Sequence, residues 1–147
     1  MSGTVARVSH IGICVSDMER SIAFYRDALG FTVTSELRVA GEPSDTLLSL
    51  RDVELHAVYI ERDGFRLELL HFGSPRSPAR PPERRINDLG LTHLSVQVAN
   101  VDEALARLEE QGASVDRPTR IAAGGDRAVA AFVRDPDGLP IELILKR

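Results

Sequence analysis

An internal repeat constrains the fold of this chain more than any other feature. Ser9-His10-Ile11-Gly12-Ile13-Cys14-Val15 matches Thr92-His93-Leu94-Ser95-Val96-Gln97-Val98, each an alternating apolar run with His at its second position. Self-similarity of this kind means that one supersecondary unit is used twice. Alternation with a period of two reads as a half-buried strand. Each run is followed by a helix signal. Ser16 and Glu19 form a capping-box pair, after which Met18, Ile22, Tyr25, Ala28 and Leu29 recur at helical spacing as far as Gly30. Asn100 and Glu103 play the same part in the second copy, with Val101, Ala104, Leu105 and Leu108 as the stripe and Gly112 as the stop.

The ends of the copies match as well. Asp63-Gly64-Phe65-Arg66-Leu67-Glu68-Leu69-Leu70 aligns with Asp137-Gly138-Leu139-Pro140-Ile141-Glu142-Leu143-Ile144. Each is an Asp-Gly turn leading into a strand that carries Glu at the same place. Further strands are expected at Phe31–Val33, Glu54–Ile60, Ala113–Val115 and Val129–Arg134, giving βαβββ per copy. The chain thus reads as a single α+β domain over 1–147, with one module over 5–72, a linker over 73–88 and a second module over 89–147. The linker holds four prolines and four arginines, the composition of an exposed, partly stiff segment.

Residues two apart on a strand share a face. His10, Gly12 and Cys14 therefore face one way, and Ile11, Ile13 and Val15 the other, towards the helix stripe. In the second copy His93, Ser95 and Gln97 lie opposite Leu94, Val96 and Val98. Glu68 and Glu142 stand opposite their aliphatic neighbours in the same manner. A carboxylate in an otherwise apolar strand is costly to bury unless it is paired or binds a metal. A lone strand histidine is ordinarily a core or surface residue. The duplicated His-to-Glu pattern, with separations of 58 and 49 residues, argues otherwise. If the sheets pack face to face, His10, Glu68, His93 and Glu142 converge. Nitrogen and carboxylate ligands suit one divalent ion of the Zn, Ni, Co, Mn or Fe type. Gly12 and Ser95 are small and leave room for a ligand.

Other features carry less. His56 and His71 lack counterparts and read as surface or pocket-rim residues. Cys14 reads as a small buried filler, since no neighbour obviously lowers its pKa. Gly124-Gly125-Asp126 reads as a hairpin turn, and Arg120 and Arg127 as solubilising charges. The net charge of −4 excludes a broad nucleic-acid footprint, and the apolar runs are too short for a membrane span. The N-terminus shows no signal-peptide pattern, and one cysteine suits a reducing compartment, so a cytoplasmic location is expected.

Ser-His-Ile-Gly-Ile at 9–13, Asp17 through Tyr25, Leu29-Gly30-Phe31, Leu67-Glu68-Leu69, Thr92-His93-Leu94-Ser95-Val96 and Asp135-Pro136-Asp137-Gly138 before Ile141-Glu142-Leu143 form a recognisable set. This set resembles the vicinal oxygen chelate superfamily, the glyoxalase, bleomycin-resistance and extradiol dioxygenase group, over nearly the whole chain outside the linker. The resemblance implies two βαβββ modules forming a cupped, barrel-like mixed sheet with helices outside. It implies metal ligation by His10, Glu68, His93 and Glu142, and commonly a homodimer. It also implies a small-molecule substrate held through two neighbouring oxygens, with Glu142 or Glu68 as the proton-transferring base. The pattern is most similar to glyoxalase I and methylmalonyl-CoA epimerase. The epimerase, however, has Gln at the place of Glu68 and a further carboxylate whose nearest candidate here is Asp45. A lyase or isomerase moving a proton beside a carbonyl is therefore expected. The alternatives are a non-haem Fe(II) extradiol-type dioxygenase using His10, His93 and Glu142, and a non-catalytic small-molecule binding protein on the same fold.

Overall fold

The computed structural model describes residues 3–78 and 84–147. The chain divides into two compact units, Met1–Ala79 and Arg80–Arg147. The first contains β1 (Ile11–Cys14), α1 (Met18–Ala23), β2 (Thr32–Ala40), α2 (Ser44–Leu48), β3 (Glu54–Arg62) and β4 (Phe65–Ser74). The second contains β5 (Leu94–Val98), α3 (Val101–Glu110), β6 (Ser114–Ala122), β7 (Ala128–Arg134) and β8 (Pro140–Leu145). The sheet orders are β1-β4-β3-β2 and β5-β8-β7-β6, so the duplicated βαβββ plan is present in both. The class is α+β. Each sheet is mixed: first and last strands pair in parallel, the others antiparallel. Of the expected linker, residues 73 and 74 belong to β4, and 79–83 lie outside the described residues. No helix among the described residues is long and apolar enough to cross a membrane.

Local chemistry explains the elements and corrects some expected boundaries. The cap of α1 is Asp17, whose carboxylate accepts from the Arg20 amide at 2.9 Å. Ser16, expected in that role, instead receives the Arg20 guanidinium at 2.8 Å. Asn100 caps α3 as expected, accepting from the Glu103 amide at 3.2 Å. Beyond Ala23 the helix widens into a π turn, Phe24–Ala28. It stops at Gly30, whose φ of +70° favours glycine, and a Cβ there would also meet the Arg62 guanidinium at 2.7 Å. Arg62 donates to the Leu29 carbonyl at this point and so ties the helix end to β3.

Asp63 and Gly64 join β3 to β4, both at positive φ, as a two-residue I′-type turn requires. At the matching place in the second unit, buried Asp135 organises a wider turn. Its Oδ1 accepts from the amides of Asp137 at 2.9 Å and Leu139 at 2.7 Å. These turns set the register of β4 and β8. In the first unit Leu67 and Leu69 are buried with Val58 and Ile60 on the face covered by α1. In the second, Ile141, Leu143, Ala131 and Val133 are buried with Val101, Leu105 and Leu108 of α3. Each of the valine, leucine and isoleucine side chains contributes about 1.5–3 kcal/mol by leaving water. Val15 is buried as expected, but Ile11, at the start of the edge strand, is 43% exposed.

Candidate metal centre

The first unit brings His10 and Glu68 together. Parallel pairing sets Gly12 opposite Glu68, and His10 lies two residues earlier, just before β1 rather than within it as expected. His10 Nε2 stands 3.0 Å from Glu68 Oε2. The other ring nitrogen, Nδ1, is 2.9 Å from the Ser9 hydroxyl. The second unit repeats this arrangement. Ser95 lies opposite Glu142, His93 Nε2 is 3.6 Å from Glu142 Oε2, and its Nδ1 is 2.8 Å from the Thr92 hydroxyl. Among the described residues no cluster of three or more His, Cys, Asp or Glu side chains forms, so each unit carries one pair.

Antiparallel pairing adds an aromatic residue to each pair. Tyr59 lies opposite Glu68 and Phe132 opposite Glu142. Tyr59 meets the His10 ring edge-on, with centroids 5.3 Å apart at 76°. Phe132 meets His93 in the same way, at 5.4 Å and 81°. The Tyr59 phenol stands on the same sheet face as its register partner Glu68 and interacts with that carboxylate. That interaction, then burial and the carboxylate's charge, raises the phenol above its usual pKa, and nearby Arg66 opposes the shift. Phe132 has no hydroxyl to offer, and there Ser95 donates to Glu142 Oε2 at 2.7 Å.

The donor chemistry fits a divalent cation. When Nδ1–H donates to the neighbouring hydroxyl, Nε2 presents its lone pair towards the carboxylate. Two such acceptors repel unless a proton or a cation lies between them. The side chains of His10, Glu68, His93 and Glu142 are 31%, 14%, 29% and 30% exposed, so each pair is half-buried yet reachable. On the Glu68 face the first sheet continues into an apolar cluster of Leu55, Ala57, Val39, Leu70 and Phe72.

Tyr59 and Phe132 were not singled out from the sequence. Their signal lay in hairpin register: they precede the two glutamates by nine and ten residues across an Asp-Gly turn. Ser95, expected only to leave room, holds a carboxylate. Other candidates fall elsewhere. His56 pairs with Glu36 at 3.1 Å and lies opposite His71, both on the sheet face turned away from Glu68. Cys14 is exposed rather than buried, with Sγ 3.2 Å from the Ser77 hydroxyl. Asp45 accepts from the amides of Asp52 and Val53 at 3.1 and 2.9 Å and so organises its own loop. Arg120 is held by both carboxylate oxygens of Asp102, at 2.7 and 3.0 Å. Gly124 and Gly125 form the expected turn, both at positive φ.

Residues 7–143 match the family model for the Glyoxalase/Bleomycin resistance protein/Dioxygenase superfamily. The chain belongs to this superfamily. Among curated relatives, the uncharacterized protein YaeR of Escherichia coli is 36% identical, the match covering 93% of this chain and 94% of that protein. The lactoylglutathione lyase of Salmonella typhimurium is 33% identical over 94% of this chain and 91% of the lyase. Among solved structures, a glyoxalase family protein from Bacillus cereus shares the fold with a TM-score of 0.81 at 21% identity, covering 97% of this chain and 95% of that one.

Proposed function

We propose that this superfamily member is a metal-dependent lyase or isomerase that moves a proton beside a carbonyl group of a small substrate. His10, Glu68, His93 and Glu142 are the proposed ligands of one divalent ion, and Glu142 or Glu68 the proposed base. The observation that carries this reading is the duplicated pair: in each unit an imidazole Nε2 faces a carboxylate, with the other ring nitrogen engaged by a hydroxyl. A hydroxyl bound at Nδ1 fixes ring orientation and favours the tautomer whose Nε2 is a ligand. A divalent ion in such a site would polarise two vicinal substrate oxygens and acidify the adjacent C–H bond.

The remaining work falls to the chain itself. A carboxylate within reach of the substrate carbon takes the proton from one position and returns it at another, as a general base and then a general acid. Glu142 suits that exchange better, being more exposed and farther from its histidine than Glu68. Half-buried Leu70 and Phe72, which lie on the Glu68 face over buried Leu55 and Ala57, offer an apolar surface for the carbon skeleton of the substrate.

Elemental analysis of the purified protein, beside a His10→Ala/Glu142→Ala double variant, tests the metal. About one divalent ion per chain is expected in the wild type and none in the variant. Glu142→Gln tests the base: activity should fall by about 100-fold or more with the metal retained. Absence of metal from the wild type, even after incubation with Zn, Ni, Co, Mn and Fe salts, would overturn the proposal. So would full activity in both Glu142→Gln and Glu68→Gln.

A further inference from the structure

We infer that Tyr59 is a positioning residue that serves, with one side chain, both ligands of the first pair, a task the second unit divides between Phe132 and Ser95. The inference rests on the metal reading above. Three neighbours meet on Tyr59: the ring edge of His10 at 5.3 Å, the carboxylate of Glu68 directly opposite it across the strands and on the same face, and the guanidinium of Arg66, 4.6 Å from the ring centroid. Arg66 is itself paired with Glu61 at 3.0 Å. Tyr59 therefore cannot turn without disturbing the histidine, the carboxylate and the cation stacked on it.

The second unit shows which part of Tyr59 does which task. Phe132 occupies the same register position and keeps the ring contact with histidine. The hydroxyl comes instead from Ser95, one strand over, while the first unit has Gly12 at that place. Each pair thus has one aromatic ring against its histidine and one hydroxyl on its carboxylate, drawn from opposite neighbouring strands. A hydroxyl bound to a metal-ligating carboxylate fixes its orientation, and loss of such a partner typically weakens metal binding 10- to 100-fold. The ring is a separate contribution, so Tyr59→Phe and Tyr59→Leu remove different things.

Cobalt(II) affinity of the full-length protein, by competition with a chromophoric chelator, and the visible spectrum of the cobalt form test this. Tyr59→Phe should weaken Co(II) binding by about 10-fold or more and alter the visible bands, and Tyr59→Leu should weaken it further. The repeat then supplies two rescues. Adding Gly12→Ser to Tyr59→Phe moves the hydroxyl to the strand the second unit uses. Adding Phe132→Tyr to Ser95→Ala makes the reciprocal exchange. Recovery of Co(II) affinity in either double variant would support the inference, and failure of both would overturn it. A Tyr59→Phe protein that binds Co(II) like the wild type would overturn it while leaving the metal reading intact. A wild-type protein that binds no Co(II) would remove both.

Discussion

Ser95 donates its hydroxyl to Oε2 of Glu142 at 2.7 Å, and this same oxygen faces His93 Nε2 at 3.6 Å. The serine therefore fixes the orientation in which the carboxylate faces the histidine. A hydroxyl donor to a charged group is worth about 1.5–3 kcal/mol. Ser95→Ala should weaken Zn(II) binding by roughly 10-fold or more. Ser95→Thr keeps the donor and should bind Zn(II) like the wild type. Isothermal titration with zinc distinguishes these outcomes; equal affinities in all three proteins would mean that the serine is a bystander.

Asp135 is only 3% exposed, and its carboxylate holds the turn that leads into β8. Removing it leaves two amides without their acceptor just upstream of Pro140. Asp135→Ala should cost about 1–3 kcal/mol of stability. Because the turn sets the register that brings Glu142 opposite Phe132, metal affinity should fall as well. Urea unfolding measures the first effect and zinc titration the second; a wild-type stability would refute the assignment.

The Arg120 guanidinium, bonded to Asp102, holds that carboxyl below its ordinary pKa of 3.8, with the Ala128 backbone assisting and burial opposing. A carboxyl depressed in the folded state adds stability above its unfolded pKa and loses it as pH falls through the folded value. The pair is well exposed, so the contribution is small. Wild type should therefore exceed Arg120→Met in urea midpoint near about pH 6, and the two should converge towards about pH 2.5. A gap that stays constant with pH would show that Arg120 acts through packing alone.

The repeat, the two Asp-Gly junctions and the His/Glu strands were all legible in the sequence, because each rests on short-range patterns: alternation, capping chemistry and turn residues. Asp17 displaced Ser16 as cap because both residues have the right chemistry, and only the chain's direction on leaving β1 selects between them. Helix α2 escaped notice because Ser44–Leu48 is barely more than one turn, too short for periodicity to show. Ile11 kept the expected parity but not the expected burial, since an edge strand's first residue has few neighbours. Tyr59 and Phe132 depend on which residue lies opposite which across a hairpin. Their importance lay in the register between strands, which no single strand discloses. The exchange of hydroxyl between Tyr59 and Ser95 is likewise visible only once the two sheets are compared strand by strand.

The parallel pairing of β1 with β4, and of β5 with β8, places the beginning of each unit beside its end. During synthesis, His10 leaves the ribosome 58 residues ahead of the glutamate it faces, and His93 leaves 49 residues ahead of its own. Neither imidazole meets its carboxylate until the last strand of its unit has emerged and docked. A chain that stalls within a unit thus has that unit's histidine without its carboxylate, and the closed pair is a signature of a finished module rather than of a growing one.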